Sequence, residues 1–111
     1  IHIRRKDYKS WNSGKYYFEN DFYKKVLNEL KIKLIKENHD PFIFSLSDDQ
    51  SPNVIGADFE SKGSWKEDQI ILQSCDIILG PPSTFSMWAS YISAIPLIQI
   101  YSFTAKILDR L

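Results

Sequence analysis

Short apolar runs alternate along the chain with stretches in which apolar residues recur at helical spacing. The runs at residues 1–5, 42–46, 76–80 and 96–100 are rich in branched side chains, which is typical of strands in a buried parallel sheet. Spacing of three and four is clearest in the first long stretch, at Phe22, Tyr23, Val26, Leu27, Leu30 and Leu34. The alternation predicts an α/β fold, a Rossmann-like parallel sheet of about five strands with helices on both faces.

Capping residues define the ends of the predicted helices. The expected N-caps are Asn20, Ser64 and either Ser83 or Thr84. Glu67 completes a capping box at the second of these helices, and Asp40-Pro41 is expected to end the first. Residues 54–55 are expected to form a short edge strand, and residues 103–111 a final helix.

The ligand crevice of such a sheet lies beyond the carboxyl ends of its strands, where the strand order reverses. Arg4 and Arg5 stand at the first of these ends. A guanidinium presents a planar fork of donors that fits phosphate and keeps its charge when partly desolvated. Arg4, on the same side of the strand as His2, is therefore a candidate phosphate ligand. The simplest alternative is a solvated basic pair in which Arg5 binds Asp7.

The segment Gly80-Pro81-Pro82-Ser83-Thr84-Phe85-Ser86 joins a predicted strand to a helix. The free N–H groups of a first helical turn, the positive end of the helix dipole and the hydroxyls of Ser83, Thr84 and Ser86 would together form an anion site. The alternative is plain capping by Ser83 or Thr84. The additional hydroxyl of Ser86, expected on the polar face of the helix, favours a ligand.

Asp48 and Asp49 follow the strand predicted at residues 42–46. A carboxylate at this end can accept two N–H groups from a guanine edge or bind sugar hydroxyls, and the alternative is a turn closed by an aspartate side chain. Neither a dinucleotide-binding Gly-x-Gly-x-x-Gly motif nor a P-loop occurs. Since two arginines and a helix start can neutralise a diphosphate, we expect no metal and no cofactor.

Charge and cysteine content narrow the function classes. Fourteen Lys+Arg balance fourteen Asp+Glu, unlike the basic footprint of a nucleic-acid binder. Cys75 is the one cysteine, so neither an internal disulfide nor a structural zinc site is expected. No apolar stretch approaches the roughly 20 residues of a membrane span, so we expect a cytoplasmic protein, peripheral to a membrane only through missing parts. Because the chain opens within a strand, we interpret residues 1–111 as one domain of a larger protein.

The segment His2-Ile3-Arg4-Arg5-Lys6-Asp7-Tyr8 resembles the His-x-Arg-Arg-x-Asp motif of fucosyltransferases that use GDP-fucose. Its Asp-Tyr ending is most similar to the α-1,2-fucosyltransferase family. Later segments agree in order, at residues 47–49, 67–68, 75–76 and 83–89. The resemblance covers nearly the whole chain as scattered motifs, and several motifs in one order are more specific than any one of them.

This resemblance implies an inverting, metal-independent glycosyltransferase of GT-B type, with fucose passing from GDP-fucose to a galactoside or other sugar hydroxyl. The chain would be its C-terminal, donor-binding domain, and its partners a nucleotide sugar and an acceptor glycan. Arg4 would hold the departing β-phosphate, with Arg5 and Asp7 supporting it, so Arg4 and Asp7 are the implied catalytic residues. The other implied donor-binding residues are His2 and Asp49 near the guanine, Asp48 beside them, and Ser83, Thr84 and Ser86 along the diphosphate.

Trp11, Tyr16 and Tyr17 lie in a polar loop and are candidates for stacking on an acceptor sugar. The aromatic residues expected in the core instead are Trp65, Phe85 and Trp88. Lys6 departs from the family pattern, which commonly has Gly or another small residue there. No carboxylate directly after Tyr8 offers a general base, so that group is expected on a missing domain, and the chain alone is expected to be inactive.

A competing hypothesis is a non-catalytic α/β module that uses the same helix start to bind an anion or a protein. A receiver-like signalling domain, with Asp48 and Asp49 as its acidic cluster, is one form of it. Such a domain needs a lysine at a later strand end, and the ends after residues 80 and 100 carry Gly80-Pro81 and Tyr101-Ser102 instead.

Overall fold

The strands of the chain are short and pair in parallel. The computed structural model describes residues 1–48, 55–62 and 64–101. The strands are β1 (His2–Ile3), β2 (Phe44–Ser47), β3 (Phe59–Glu60), β4 (Ile78–Gly80) and β5 (Leu97–Gln99). The helices are α1 (Asn20–Lys36), α2 (Trp65–Leu72) and α3 (Thr84–Ser93), with short 3-10 turns at Asp7–Lys9 and Trp11–Gly14. The predicted α/β class is confirmed.

The described strands form two sheets, one in the order β1-β2-β3 and one that pairs β4 with β5. We expected one parallel sheet of about five strands. The parallel pairing is confirmed, but the described strands do not form a single sheet. β1 nevertheless lies beside β4. The two backbones are so close at Gly80 that a Cβ added there would stand 2.8 Å from the carbonyl oxygen of His2. The missing side chain lets the two backbones approach closely, although no ladder joins them in the described part of the chain.

Helices cover both faces of the strands, as the alternation of apolar residues predicts. Val26 and Leu30 of α1 pack with Leu79 and Ile98 on one face. On the opposite face, α2 and α3 bury a second layer, whose members are Leu46, Leu72, Ile78, Ala89 and Ile95. Neighbouring strand residues therefore point to opposite faces, which is the period-two alternation of a strand.

The predicted ends of α1 are wrong at both termini. Glu19 is the N-cap residue, and Asn20 is already helical. The helix ends at Lys36, ahead of Asp40, because Asn38 adopts a left-handed conformation with φ of 65°. The His39 N–H bonds to the Leu34 carbonyl at 2.9 Å, which is the Schellman pattern of a helix C-terminus.

Ser64 and Ser83 are confirmed as N-caps, and the return bond of Glu67 that would complete the capping box stays a prediction. The Ser64 side chain accepts from the Glu67 N–H at 3.5 Å, and the Ser83 side chain accepts from the Phe85 N–H at 3.2 Å. The edge strand expected at residues 54–55 lies instead at Phe59–Glu60, with buried Ile55 in a bend before it. Residue 54 and the expected final helix at 103–111 lie outside the described residues.

Two tryptophans expected in the core lie on the surface. Trp65 is 65% exposed and Trp88 55% exposed, whereas Phe85 packs against the buried layer under α2 and α3, as expected. The spacing of aromatic residues on a helix does not reveal which of them face the sheet. None of the helices in the described ranges has the length and apolar character needed to cross a membrane.

Candidate functional site

The carboxyl ends of β1 and β2 meet at Arg4 and Asp48. The parallel register pairs His2 with Leu46 and Ile3 with Ser47, so the next residue of each strand faces the other. Arg4 Nε lies 3.4 Å from Asp48 Oδ2, and Asp48 Oδ1 accepts from the Arg5 backbone N–H at 2.9 Å. The structure thus brings these predicted residues together.

Arg4 lies between two carboxylates and a ring. Its Nη2 is 3.1 Å from Asp7 Oδ1, and its guanidinium carbon is 5.1 Å from the centre of the Tyr8 ring. The Arg4 side chain is 22% exposed and that of Asp7 64%. The basic-pair alternative named the wrong partner, because Arg4 and not Arg5 pairs with Asp7. An exposed pair of this kind contributes about 0–1 kcal/mol, so an incoming anion can displace Asp7 readily.

Arg5 points away from Arg4, towards α1, and is buried. Its Nη2 donates to Asn20 Oδ1, and its guanidinium carbon lies 5.8 Å from the ring centres of both Tyr17 and Tyr23. The bond from Arg5 explains why Asn20 does not cap α1, since its side-chain oxygen is already engaged. This opposite placement of the two arginines confirms the predicted alternation at the end of the first strand.

Tyr8 connects Arg4 to the start of α3. Its hydroxyl donates to the carbonyl of Pro82, in the turn that precedes the helix. Burial raises the pKa of the Tyr8 hydroxyl, and a hydrogen bond with Ser83 opposes that rise. The first 3-10 turn and the helix start, far apart in sequence, therefore meet through one ring.

The three hydroxyls at the start of α3 differ in burial and in their hydrogen bonds. Ser83 is buried and caps the helix, while Thr84 is exposed. Ser86 is fully buried, and its Oγ donates to the Ser83 carbonyl at 3.1 Å. The expectation that Ser86 adds a hydroxyl on the polar face is wrong, because this position of the helix faces the sheet and its hydroxyl is satisfied internally. Thr84 is the predicted hydroxyl that a ligand can reach directly.

His2 is buried under α3. Its ring centre lies 5.0 Å from that of Phe85, and its Nδ1 has no hydrogen-bond partner among the described residues. Burial, followed by the charge of Arg4, lowers the pKa of His2 to about 3. Asp49, which was expected beside it, lies outside the described residues.

The neutrality of His2 predicts a pH dependence of stability. Below about pH 6.5 the His2 side chain of the unfolded chain binds a proton. In the folded protein the same side chain stays neutral until the pH approaches 3. The unfolded state binds more protons in this window, so the free energy of unfolding should fall as pH is lowered, by up to about 1.4 kcal/mol per pH unit. Urea unfolding between pH 7 and 4 should show a shallower slope for His2→Leu. An unchanged slope would contradict the buried, neutral assignment, and His39→Gln, at an exposed position, is the control.

Asp68 is a candidate that the sequence argument did not select. It is 3% exposed, one carboxylate oxygen accepts from Ser61 Oγ at 3.3 Å, and the other has no partner in the described ranges. Burial raises the pKa of the Asp68 carboxyl, and the Ser61 hydroxyl opposes that rise. Ser61 also accepts from the Ser47 N–H at 3.3 Å, so Asp68 is connected to the carboxyl end of β2. The segment Glu67-Asp68, which is part of the family resemblance, was the available signal.

The described residues hold no group of three His, Cys, Asp or Glu side chains arranged to bind a metal ion. Metal independence stays a prediction. Comparison of the chain with family models, curated proteins and solved structures finds no match. The assignment of function therefore depends on the geometry of this site and on the motif resemblance.

Proposed function

We propose that the chain is the donor-binding part of an inverting glycosyltransferase that transfers fucose from GDP-fucose to a sugar hydroxyl. The observation that carries the proposal is the meeting of Arg4, at the carboxyl end of β1, with the start of α3 through Tyr8. The Arg4 guanidinium and the positive N-terminal end of α3 can then bind the same ligand, and a diphosphate needs positive groups of both kinds.

The strand arrangement supports the same location. β1 is followed by β2 and β3 on one side, and β4 and β5 lie on its other side. We infer that the two sheets act as one Rossmann-like sheet in the order β3-β2-β1-β4-β5. The order then reverses between β1 and β4, and the residues beyond the carboxyl ends of these strands are Arg4 and the turn at Pro82.

Asp7 and Asp48 stand where phosphate oxygens would bind. Both carboxylates contact the Arg4 guanidinium, at 3.1 and 3.4 Å, so its positive charge is already compensated in the unliganded site. A diphosphate carries more negative charge than the exposed Asp7 carboxylate and would take its place. As the bond from fucose to the β-phosphate breaks, negative charge grows on that phosphate, and a fixed guanidinium beside it stabilises the transition state.

The base would be recognised on the face under α2 and α3, and these helices would have to separate to admit it, because His2 and Asp68 are 2% and 3% exposed. His2 Nδ1 and Asp68 Oδ1 are both buried and have no hydrogen-bond partner among the described residues. Gln69, next to Asp68, donates to the Phe85 carbonyl at 3.2 Å, which connects this carboxylate to the layer that covers His2. Guanine presents two adjacent N–H donors that a carboxylate can accept, whereas adenine lacks that pair. This chemistry supports GDP as the nucleotide.

Calorimetric titration with GDP and with ADP, in chelator and without added metal, tests the proposal. We expect GDP to bind about tenfold or more tightly than ADP, a difference of about 1.4 kcal/mol. Asp68→Asn should remove most of this preference and raise the midpoint of thermal unfolding, because it removes a buried charge. Equal binding of both nucleotides would instead support the generic anion-binding module, and binding of neither would contradict the proposal.

A further inference from the structure

Four aromatic rings extend from the candidate phosphate site to the protein surface. Their centres are separated by 4.8 Å from Tyr8 to Trp11, 5.6 Å from Trp11 to Tyr16, and 5.9 Å from Tyr16 to Tyr101. Tyr8 is the ring that lies over the Arg4 guanidinium. The row of rings therefore begins where the leaving phosphate would be held.

Buried and exposed rings alternate along this row. Tyr8 and Tyr16 are buried, at 6% and 8% exposure, whereas Trp11 and Tyr101 are 44% and 48% exposed. Tyr16 lies between the two exposed rings and contacts both of them. Trp11 and Tyr101, which we name the aromatic platform, thus offer two supported ring surfaces to a ligand beside the site.

The backbone after Trp11 adopts a sparsely populated conformation. Asn12, Ser13 and Gly14 have φ of 53°, 58° and 74°, a left-handed run that non-glycine residues rarely adopt. Gly14 also lies against the Lys9 carbonyl, where an added Cβ would stand 2.9 Å from the oxygen. Conformations of this kind concentrate at ligand-binding segments because the surrounding structure must hold them in place.

Polar groups lie near the Trp11 side of the aromatic platform. Asn12 and Ser13 are exposed beside Trp11, and the exposed Asp7 carboxylate lies on the Arg4 side. Lys15 Nζ is 5.4 Å from the centre of the Tyr16 ring. An apolar surface with donors and acceptors at its rim matches a pyranose ring, which has one face of C–H groups and hydroxyls around its edge.

We propose that the aromatic platform binds the acceptor glycan, with a hexopyranoside stacking its C–H face on Trp11 and the rest of the glycan lying against Tyr101. This inference rests on the proposed function, since an acceptor hydroxyl must reach the fucose beside the departing phosphate. Tyr8, in contact with both Arg4 and Trp11, sets the spacing between the donor and acceptor sites. The substrate class is a hexopyranoside with an unobstructed apolar face.

The test follows the indole N–H signals of the chain by NMR during a titration with lactose, in the absence and presence of saturating GDP. We expect the Trp11 signal to shift and the Trp65 and Trp88 signals to stay in place. Trp11→Ala should weaken lactose binding by about tenfold. Trp65→Ala, at a more exposed tryptophan on α2, should leave it unchanged. Trp11→Phe keeps a ring, so its binding should lie between these two.

Three other outcomes would distinguish a failure of the aromatic platform from a failure of the proposed function. No lactose shift at Trp11 in a protein that binds GDP would overturn the aromatic platform and leave the proposed function standing. A Trp11 shift caused by GDP alone would assign the ring to base stacking and overturn the acceptor role. A lactose shift that Trp11→Ala removes, in a protein that binds no GDP, would support the platform as a sugar site and contradict the donor assignment.

Discussion

Replacement of Arg4 by alanine is expected to weaken GDP binding by about 10- to 100-fold, since hydrogen bonds to charged groups contribute about 1.5–3 kcal/mol. The Arg4 side chain is partly exposed, and its ion pair with Asp7 lies at the surface. Its loss should therefore lower the free energy of unfolding by no more than about 1 kcal/mol. Calorimetric titration gives the affinity, and urea unfolding gives the stability.

Lys6→Ala is the matched control for this change. It removes a positive charge from an exposed neighbouring position in the same segment. A general electrostatic attraction would make the two variants lose similar affinity, and the effect would decline with added salt in both. A specific fork on the phosphate predicts that Lys6→Ala binds GDP like the unmodified chain. Similar losses for Lys6→Ala and Arg4→Ala would contradict the assignment of Arg4.

Replacement of Arg5 by alanine is expected to act on stability, lowering the free energy of unfolding by about 2–4 kcal/mol. Arg5 is buried, bonds to Asn20 and lies beside the rings of Tyr17 and Tyr23. Alanine would leave the Asn20 oxygen without this donor and open a cavity between the rings. Urea unfolding at neutral pH measures the loss.

Two further variants define the origin of that loss. Arg5→Lys keeps the charge but loses the planar fork, so its stability should lie between those of the unmodified chain and Arg5→Ala. Asn20→Ala should lose part of the same energy, and the double variant should lose less than the sum of the single ones. A change below about 0.5 kcal/mol for Arg5→Ala is typical of an exposed side chain and would contradict its buried role.

Local features of this chain could be predicted from the sequence. The two sides of the first strand, the caps at Ser64 and Ser83 and the helical coverage of both faces depend on residue periodicity and on side chains a few positions apart. The placement of Arg4 and Asp48 at one edge followed from the rule that carboxyl ends of parallel strands lie together, whereas their ion pair is seen only in the structure.

The features that depend on tertiary contacts could not be predicted. Asn20 looks like an N-cap until Arg5, from a different element, takes its side-chain oxygen. In the sequence Ser86 looks like a surface hydroxyl. It is buried because of the way α3 is rotated against the sheet, which the sequence does not reveal. Asp68 resembles any acidic residue in a first helical turn, and only the fold shows that it is buried beside Ser61. The contact of β1 with β4 likewise depends on a close backbone approach at Gly80.

The most direct test of the account is a map of backbone amide shifts by NMR during titration with GDP, without metal. If Arg4 and the start of α3 form one diphosphate site, the largest shifts should cluster at Tyr8, at Thr84 and Phe85, and at Asp48, on the shared edge of β1, β2 and β4. Shifts confined to the opposite edge, near His39 and Cys75, or scattered over exposed lysines without saturation, would contradict the shared site.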